Sequence, residues 1–219
     1  MIEEPANRNP LSEEPSRTLQ EIEGELCFDG VSLEKIANEV GTPTYIYSAK
    51  SFKKQFQELE NAFKRVDSKI FYSVKANSNV NIVSLFNQLD SGFDIVSGGE
   101  LHRVIAAGAS SQAIIFSGVG KSVSEIDLAL KVGIDCFNIE SAPELDRIIE
   151  RSRVLGKKPD ISVRINPDID ALTHPYISTG LKENKFGVDR VSALKLFKSA
   201  QDSKYVELVG IDAHIGSQM

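Results

Sequence analysis

Six short apolar runs separated by amphipathic stretches constrain this chain more than any other feature. They lie at residues 70–74, 93–96, 114–116, 136–139, 161–165 and 208–215. Runs this short read as buried strands and the stretches between them as helices. Strand alternating with helix about every 20–25 residues makes βα units on a parallel sheet. Phe52, Phe56, Leu59 and Phe63 share one helical face. Ser122-x-x-Glu125 and Ser141-x-x-Glu144 have the form of capping boxes. Gly92, Gly108, Gly133 and Gly156 fall where helix C-termini turn over. This rhythm fits an open sheet and a closed one equally.

Residues 1–24, rich in Glu, Pro, Asn and Ser, read as a flexible arm. Residues 25–50 read as a lead-in of one helix and one strand. Ser32 caps the helix, Leu33, Ile36, Ala37 and Val40 form its apolar face, and Gly41 with Pro43 ends it. Thr44-Tyr45-Ile46-Tyr47 is the expected strand. With 41% apolar residues in 219, the chain has material for a core, and a net charge of −6 without basic clusters offers nothing to nucleic acid or to a membrane surface. Met1-Ile2-Glu3-Glu4-Pro5 lacks the basic start and apolar run of a signal peptide. No run approaches the roughly 20 apolar residues that span a bilayer. Cys27 and Cys136 have no metal-ligand spacing, so no metal is expected. Free buried thiols in a cytoplasmic setting are the first reading and a disulfide the second.

Polar residues cluster just after the apolar runs: Lys75 and Asn77, Ser97, Ser117, Glu140 and Ser141, Arg164 and Asn166, His214 and Ser217. Barrel enzymes carry their active sites at the C-terminal ends of their strands. Other α/β folds also place polar residues there, so the pattern alone leaves catalysis and scaffold open. Lys75 is the centre of the functional reading. Burial at a strand end disfavours the ammonium form and suits an amine that attacks a carbonyl to make a Schiff base. The alternative is a lysine that snorkels into solvent. Period-two alternation puts Ser73 on the face of Lys75, a small residue leaving room for a ring. The stretch 166–187 is too long for a plain connection and is a candidate functional loop. His174 within it is a candidate substrate contact, while His102 falls on a solvent-facing helix side.

The wording around these residues resembles one family. FYSVKANSN (71–79), GFDIVSGGEL (92–101), FSGVGKS (116–122), FNIESAPEL (137–145), VRINPDIDALTHPYISTGLKENKFG (163–187) and GIDAHIGSQM (210–219) are similar, in order, to blocks of the alanine-racemase-like, fold-type III pyridoxal-phosphate decarboxylases. The likeness covers nearly everything from residue 28 onward. It implies a (β/α)8 barrel, about six of whose eight βα units would lie in residues 51–219, and pyridoxal 5'-phosphate as cofactor. Lys75 would carry the cofactor, His214 would stack on its ring and Ser217 would hold its phosphate. Asp94 and Arg164 would line the pocket beside the ring, with Ser73 beneath. Taken singly, Asp94 reads as a turn former, Arg164 as half of an ion pair, Ser217 as a helix cap and His214 as a core histidine.

THPYISTG (173–180) points within the family to the branch that decarboxylates meso-diaminopimelate to L-lysine, although GVGKS departs modestly from that branch's wording. The implied partners are a small amino-acid substrate and a second copy in a homodimer. Because the sixth run is followed at once by Met219, the chain is expected to be the N-terminal portion of the enzyme and inactive alone. A glycine-rich phosphate loop, the acid facing the pyridine nitrogen and a further domain would lie downstream. Competing readings are a decarboxylase of another basic amino acid (ornithine, arginine or carboxynorspermidine), a non-catalytic single-barrel cofactor carrier and a partner-binding homologue. A class I aldolase shares the barrel and the lysine but not the flanking wording.

Overall fold

The computed structural model describes residues 19–167, 186–214 and 216, and the chain divides into two compact units, residues 1–68 and 69–219. In the first unit, β1 (Leu19–Ile22), β2 (Glu25–Phe28) and β3 (Val31–Ser32) form an antiparallel sheet. Both connections are two-residue turns, Glu23-Gly24 and Asp29-Gly30, with positive φ at each central residue (54° and 84°, 52° and 81°). That is the turn whose twist matches the flanking strands. The expected flexible arm therefore does not extend past residue 18, and residues 1–18 lie outside the described residues. Helix α1 (Leu33–Val40) starts on Ser32, whose Oγ accepts from the Lys35 N–H at 3.4 Å, and stops at Gly41, as expected. Thr44–Tyr47 forms no strand, and Tyr45 is 90% exposed. Its aromatic and β-branched residues favour a strand, but among the described residues no neighbouring strand takes up its backbone groups. Helix α2 (Ala49–Phe63) starts on Ser48, whose Oγ accepts from the Ser51 N–H. Of its expected apolar face only Phe56 is buried, while Leu59 and Phe63 are exposed.

The second unit carries a parallel sheet in the order β4-β5-β6-β7-β8-β9. These strands are Phe71–Ser73, Gly92–Ile95, Ile114–Phe116, Cys136–Ile139, Asp160–Arg164 and Glu207–Asp212. Each grew from one of the six apolar runs. Between them lie α3 (Val80–Gln88), α4 (Gly98–Ala106), α5 (Val123–Val132), α6 (Ala142–Leu155) and α7 (Arg190–Gln201). Within each strand, alternate residues point to opposite faces. Phe93, Ile95, Ile114, Phe116, Phe137, Ile139, Ile161 and Val163 are fully buried on one face. Tyr72 on that face stacks on Phe86 of α3, with ring centroids 4.0 Å apart. Apart from Ile115, the residues between them, Asp94, Asn138 and Ser162, are polar, and they carry the site.

Two local expectations need correction. Gly92 does not end a helix. Asp90, with φ 60°, turns the chain after α3, and Gly92 opens β5 under the Phe71 ring, where an added Cβ would sit 2.4 Å from ring carbons. Ser122 and Glu125 do form a capping box, whereas Ser141 makes no side-chain cap bond. Glu144 reaches instead to the Glu140 N–H at 2.8 Å and to Lys121 Nζ at 2.5 Å. A buried ammonium outcompetes a helix cap for a carboxylate, because charge-assisted bonds are the stronger ones. Gly133 and Gly156 end α5 and α6 in the left-handed conformation, as expected. Cys27 and Cys136 are free and buried, and burial pushes the Cys136 thiol up to about 12, with the Asp135 charge adding to it.

Candidate functional site

Two polar rows run across one face of the second unit's sheet. The lower row is Ser73, Asp94, Ser117, Asn138 and Ser162, and each is joined to the next by a hydrogen bond. Ser73 Oγ donates to Asp94 Oδ2 at 3.2 Å, and Ser117 Oγ donates to Asp94 Oδ1 at 2.6 Å. Asn138 Nδ2 donates to Ser117 Oγ at 2.9 Å, and Ser162 Oγ donates to Asn138 Oδ1 at 2.6 Å. Strand register places Ser73 opposite Asp94 and Asn138 opposite Ser162, whereas Asp94 lies opposite Ile115 and its bond to Ser117 reaches diagonally to the residue two further along.

The upper row is Lys75, Glu140 and Arg164, two residues beyond Ser73, Asn138 and Ser162, with Asp212 opposite Arg164. Glu140, 5% exposed, accepts from the Gly118 N–H at 2.9 Å, the Gly187 N–H at 3.2 Å and Arg164 Nη1 at 3.2 Å. Arg164 also has Asp212 Oδ2 3.8 Å from its Nε and the Phe186 ring centroid 5.5 Å from its guanidinium carbon. Arg164 lies opposite Asp212 across β8 and β9, past a register shift at Ile161/Ser162. Burial raises the Asp212 carboxyl above its ordinary range while Arg164 pulls the other way. Burial lowers the His214 imidazole, and the Arg164 and Lys75 cations act in the same direction, so its ring is neutral at pH 7.

Lys75 does not sit inside a buried strand. β4 ends at Ser73, and the lysine stands exposed on the single 3-10 turn Val74–Ala76. The desolvation argument for its reactivity therefore fails in this structure, while its placement holds. A cavity of about 570 Å3 opens where the strands end, lined by Lys75, Asp94, Ser117, Asn138, Glu140, Arg164, Asp212 and His214.

Of the residues singled out in the sequence, Lys75, Asp94, Arg164 and His214 meet at this cavity, and Ser73 is tied to it through Asp94. Asp94 is a mid-strand residue bonded to two serines, not a turn former. Arg164 does make ion pairs, and they hold it at the cavity wall. Ser217, His174 and most of the 166–187 loop lie outside the described residues, and His102 is exposed. Sequence reasoning passed over Asn138, Ser162 and Asp212 and gave Ser117 and Glu140 no role. Their signal was parity. Asn138-x-Glu140, Ser162-x-Arg164 and Asp212-x-His214 are in phase with Ser73-x-Lys75. Among the described residues, no group of three His, Cys, Asp or Glu could hold a metal ion.

Known proteins share this arrangement of chain. Residues 49–219 match the family model of the pyridoxal-dependent decarboxylases, in its pyridoxal-binding domain. Diaminopimelate decarboxylase of Neisseria meningitidis serogroup A is 50% identical over 194 residues, which cover 89% of this chain and 48% of that protein. The crystal structure of diaminopimelate decarboxylase from Helicobacter pylori complexed with L-lysine matches with a TM-score of 0.82 and 49% identity, over 85% of this chain and 47% of that one. The M. jannaschii diaminopimelate decarboxylase in co-complex with L-lysine matches with a TM-score of 0.85 and 37% identity, over 92% and 48%. The chain spans about half the length of the curated relatives it matches.

Proposed function

The chain belongs to the family of pyridoxal-dependent decarboxylases, and from that premise we propose that the protein decarboxylates meso-diaminopimelate to L-lysine with pyridoxal 5'-phosphate held at the strand-end cavity. The observation that carries the reading is the meeting of Lys75, Asp94, Arg164 and His214 on one cavity from positions in or just past four separate strands. Relatives of about half identity that act on diaminopimelate support the choice of substrate.

The residues present fit the cofactor. It needs a primary amine for its aldehyde, a flat neutral surface for its ring and fixed charges around both. Lys75 is an amine at the cavity edge. His214 presents an imidazole whose neutrality matters, because an imidazolium would repel a protonated pyridine. Asp94 is held still by two hydroxyl donors, so its charge stays in place. Arg164 is braced between Glu140 and Asp212 and offers a fixed cation at the wall for a carboxylate of the substrate. When bound, pyridoxal phosphate supplies the electron sink that receives the bonding pair left by departing carbon dioxide.

The test is reduction of the cofactor-loaded protein with borohydride followed by peptide mapping. The pyridoxyl group should be found on Lys75. Labelling of Lys121, whose ammonium already serves Glu144, Gly118 O and Asn138 O, would overturn the assignment. Carbon dioxide release from meso-diaminopimelate should exceed that from ornithine or arginine, and the reverse order would move the substrate to another basic amino acid. A homodimeric assembly and a cytoplasmic setting complete the reading, and both rest on the family resemblance. Among the described residues no helix is long and apolar enough to cross a membrane.

A further inference from the structure

The lower polar row has a direction. Ser117 Oγ lies 2.6 Å from Asp94 Oδ1. If that carboxylate is ionised it has only lone pairs to offer, so Ser117 must give it its single hydroxyl proton. Ser117 then has no proton for Asn138, and the group of Asn138 that faces it at 2.9 Å must be the amide NH2. The amide oxygen consequently faces Ser162, which must donate at 2.6 Å. One charge on Asp94 thus orders three neutral side chains on three further strands, and every donor points toward it. Such chains polarise cooperatively and hold their members in one rotamer.

The interior layers of barrel-type sheets are dominated by branched apolar residues. Replacing these by Ser, Asn and Ser brings no stability of itself, because buried polar groups do little better than break even when bonded. The row is anchored where it needs to be stiff. Asn138, 6% exposed, is fixed by its side chain to Ser117 and Ser162, and its carbonyl accepts from Lys121 Nζ at 2.9 Å. Ser117 and Ser162 are buried as well.

We propose that Asn138 is a positioning residue that, acting through Ser117 and backed by Ser162, fixes the Asp94 carboxylate at the cofactor cavity. The inference rests on the functional reading above. In that reading Asp94 is a charged wall of the cavity, and its usefulness depends on where its two oxygens stay. Asn138 sets one of them and Ser73 the other.

The experiment is a double-mutant cycle read on the protein titrated with pyridoxal phosphate, following both the dissociation constant and the circular dichroism induced per bound cofactor. Asn138→Leu, of similar volume, should weaken binding roughly fivefold, the loss expected for one hydrogen bond of about 1 kcal/mol, and should reduce the induced dichroism. Ser162→Ala should act in the same sense and less, and it replaces Asn138→Leu in the cycle if the leucine variant does not fold. In a Ser117→Ala background either change should be silent, because the link to Asp94 is already cut. Ser117→Thr, which keeps the hydroxyl, should recover most of what Ser117→Ala loses. Equal losses with and without Ser117, or wild-type affinity and dichroism in Asn138→Leu and Ser162→Ala, would overturn the positioning role while leaving the functional reading intact. A wild-type protein that acquires no visible band with pyridoxal phosphate would overturn the functional reading and this inference with it.

Discussion

The two faces of the six-stranded sheet are made by the same strands and share almost no chemistry. On one, Phe93, Ile95, Phe116, Phe137, Ile139, Ile161 and Val163 are fully buried. On the other, Ser73, Asp94, Ser117, Asn138 and Ser162 form one polar row, with Lys75, Glu140, Arg164 and Asp212 above it. The difference teaches that stability and chemistry are divided by parity, residue by residue, rather than by region. Fully burying an aliphatic or aromatic side chain contributes about 1.5–3 kcal/mol, whereas a net hydrogen bond contributes roughly 1 kcal/mol. The apolar face should therefore decide whether the sheet forms, and the polar face what it holds.

The comparison breaks if substitutions fail to sort by face. Lys75→Ala should have the largest effect on the polar face, with complete loss of the visible band of bound cofactor. Because the lysine is exposed, its removal should leave unfolding within about 0.5 kcal/mol of wild type in denaturant titrations. Phe137→Ala should do the opposite. It opens a cavity beside Phe116, whose ring lies 6.1 Å away centroid to centroid, and should cost about 3–5 kcal/mol of unfolding free energy. Folded Phe137→Ala protein should still bind cofactor. A variant that kept its stability and lost cofactor would invert the assignment of faces.

Lys121 sharpens the division, because it is a polar residue near the cavity that should behave as a structural one. Its side chain is 1% exposed and its ammonium is satisfied by Glu144 Oε1 at 2.5 Å, Gly118 O at 2.8 Å and Asn138 O at 2.9 Å. Lys121→Met would strand the Glu144 carboxylate in the interior, and breaking such a pair costs about 3 kcal/mol or more. Chemical denaturation should show that loss, while the folded fraction should still take up pyridoxal phosphate and show its visible band, because Lys75 is untouched. A lysine variant with unchanged stability and no cofactor would make Lys121, not Lys75, the functional amine.

Much of this was legible in the sequence. Strands packed by helices need apolar residues in short runs, and all six runs became strands. The Ser122 capping box was legible because both its bonds are local. The identical pattern at Ser141 misled, because the fate of Glu144 is decided by Lys121, which lies in another loop. Asp29-Gly30 was a readable turn signal, but Glu23 with φ 54° is a conformation that glutamate seldom adopts, so the β1–β2 hairpin had only half a signature. The exposure of Lys75 turned on β4 ending two residues earlier, a boundary that propensity cannot place. Polar residues just past the strand ends mark the upper row in the sequence, whereas Asn138 and Ser162 lie inside the runs and betray themselves only by parity.

The smallest expected effect concerns His214, where the two faces should differ in their response to pH. Burial lowers its imidazole below the ordinary 6.5, the Arg164 and Lys75 cations lower it further, and Asp212 and Asp94 oppose them. In the unfolded chain the same ring titrates near 6.5. As pH falls through that value, the unfolded chain takes up a proton that the folded chain still refuses. Stability attached to this residue therefore declines on acidification, and the decline ends below the depressed folded value, where both states carry the proton. Above about pH 7.5 the ring is neutral in both states and contributes nothing to the slope. His214→Gln removes the titration and leaves Asp212, Glu100 and Asp135, whose carboxyls burial raises. The contributions of Glu100 and Asp135 cancel when wild type and variant are compared, and Asp212, whose carboxyl His214 lowers, is raised further in the variant and so adds to the difference in the same direction. Between about pH 7.5 and 5.5 the wild type should lose more in melting temperature than His214→Gln. Equal losses would mean that the imidazole feels no burial. A wild type that gained on the variant at low pH would mean that Asp212 and Asp94 outweigh burial and the two cations, so that the cavity would hold an imidazolium and could not lay a neutral ring against a protonated pyridine.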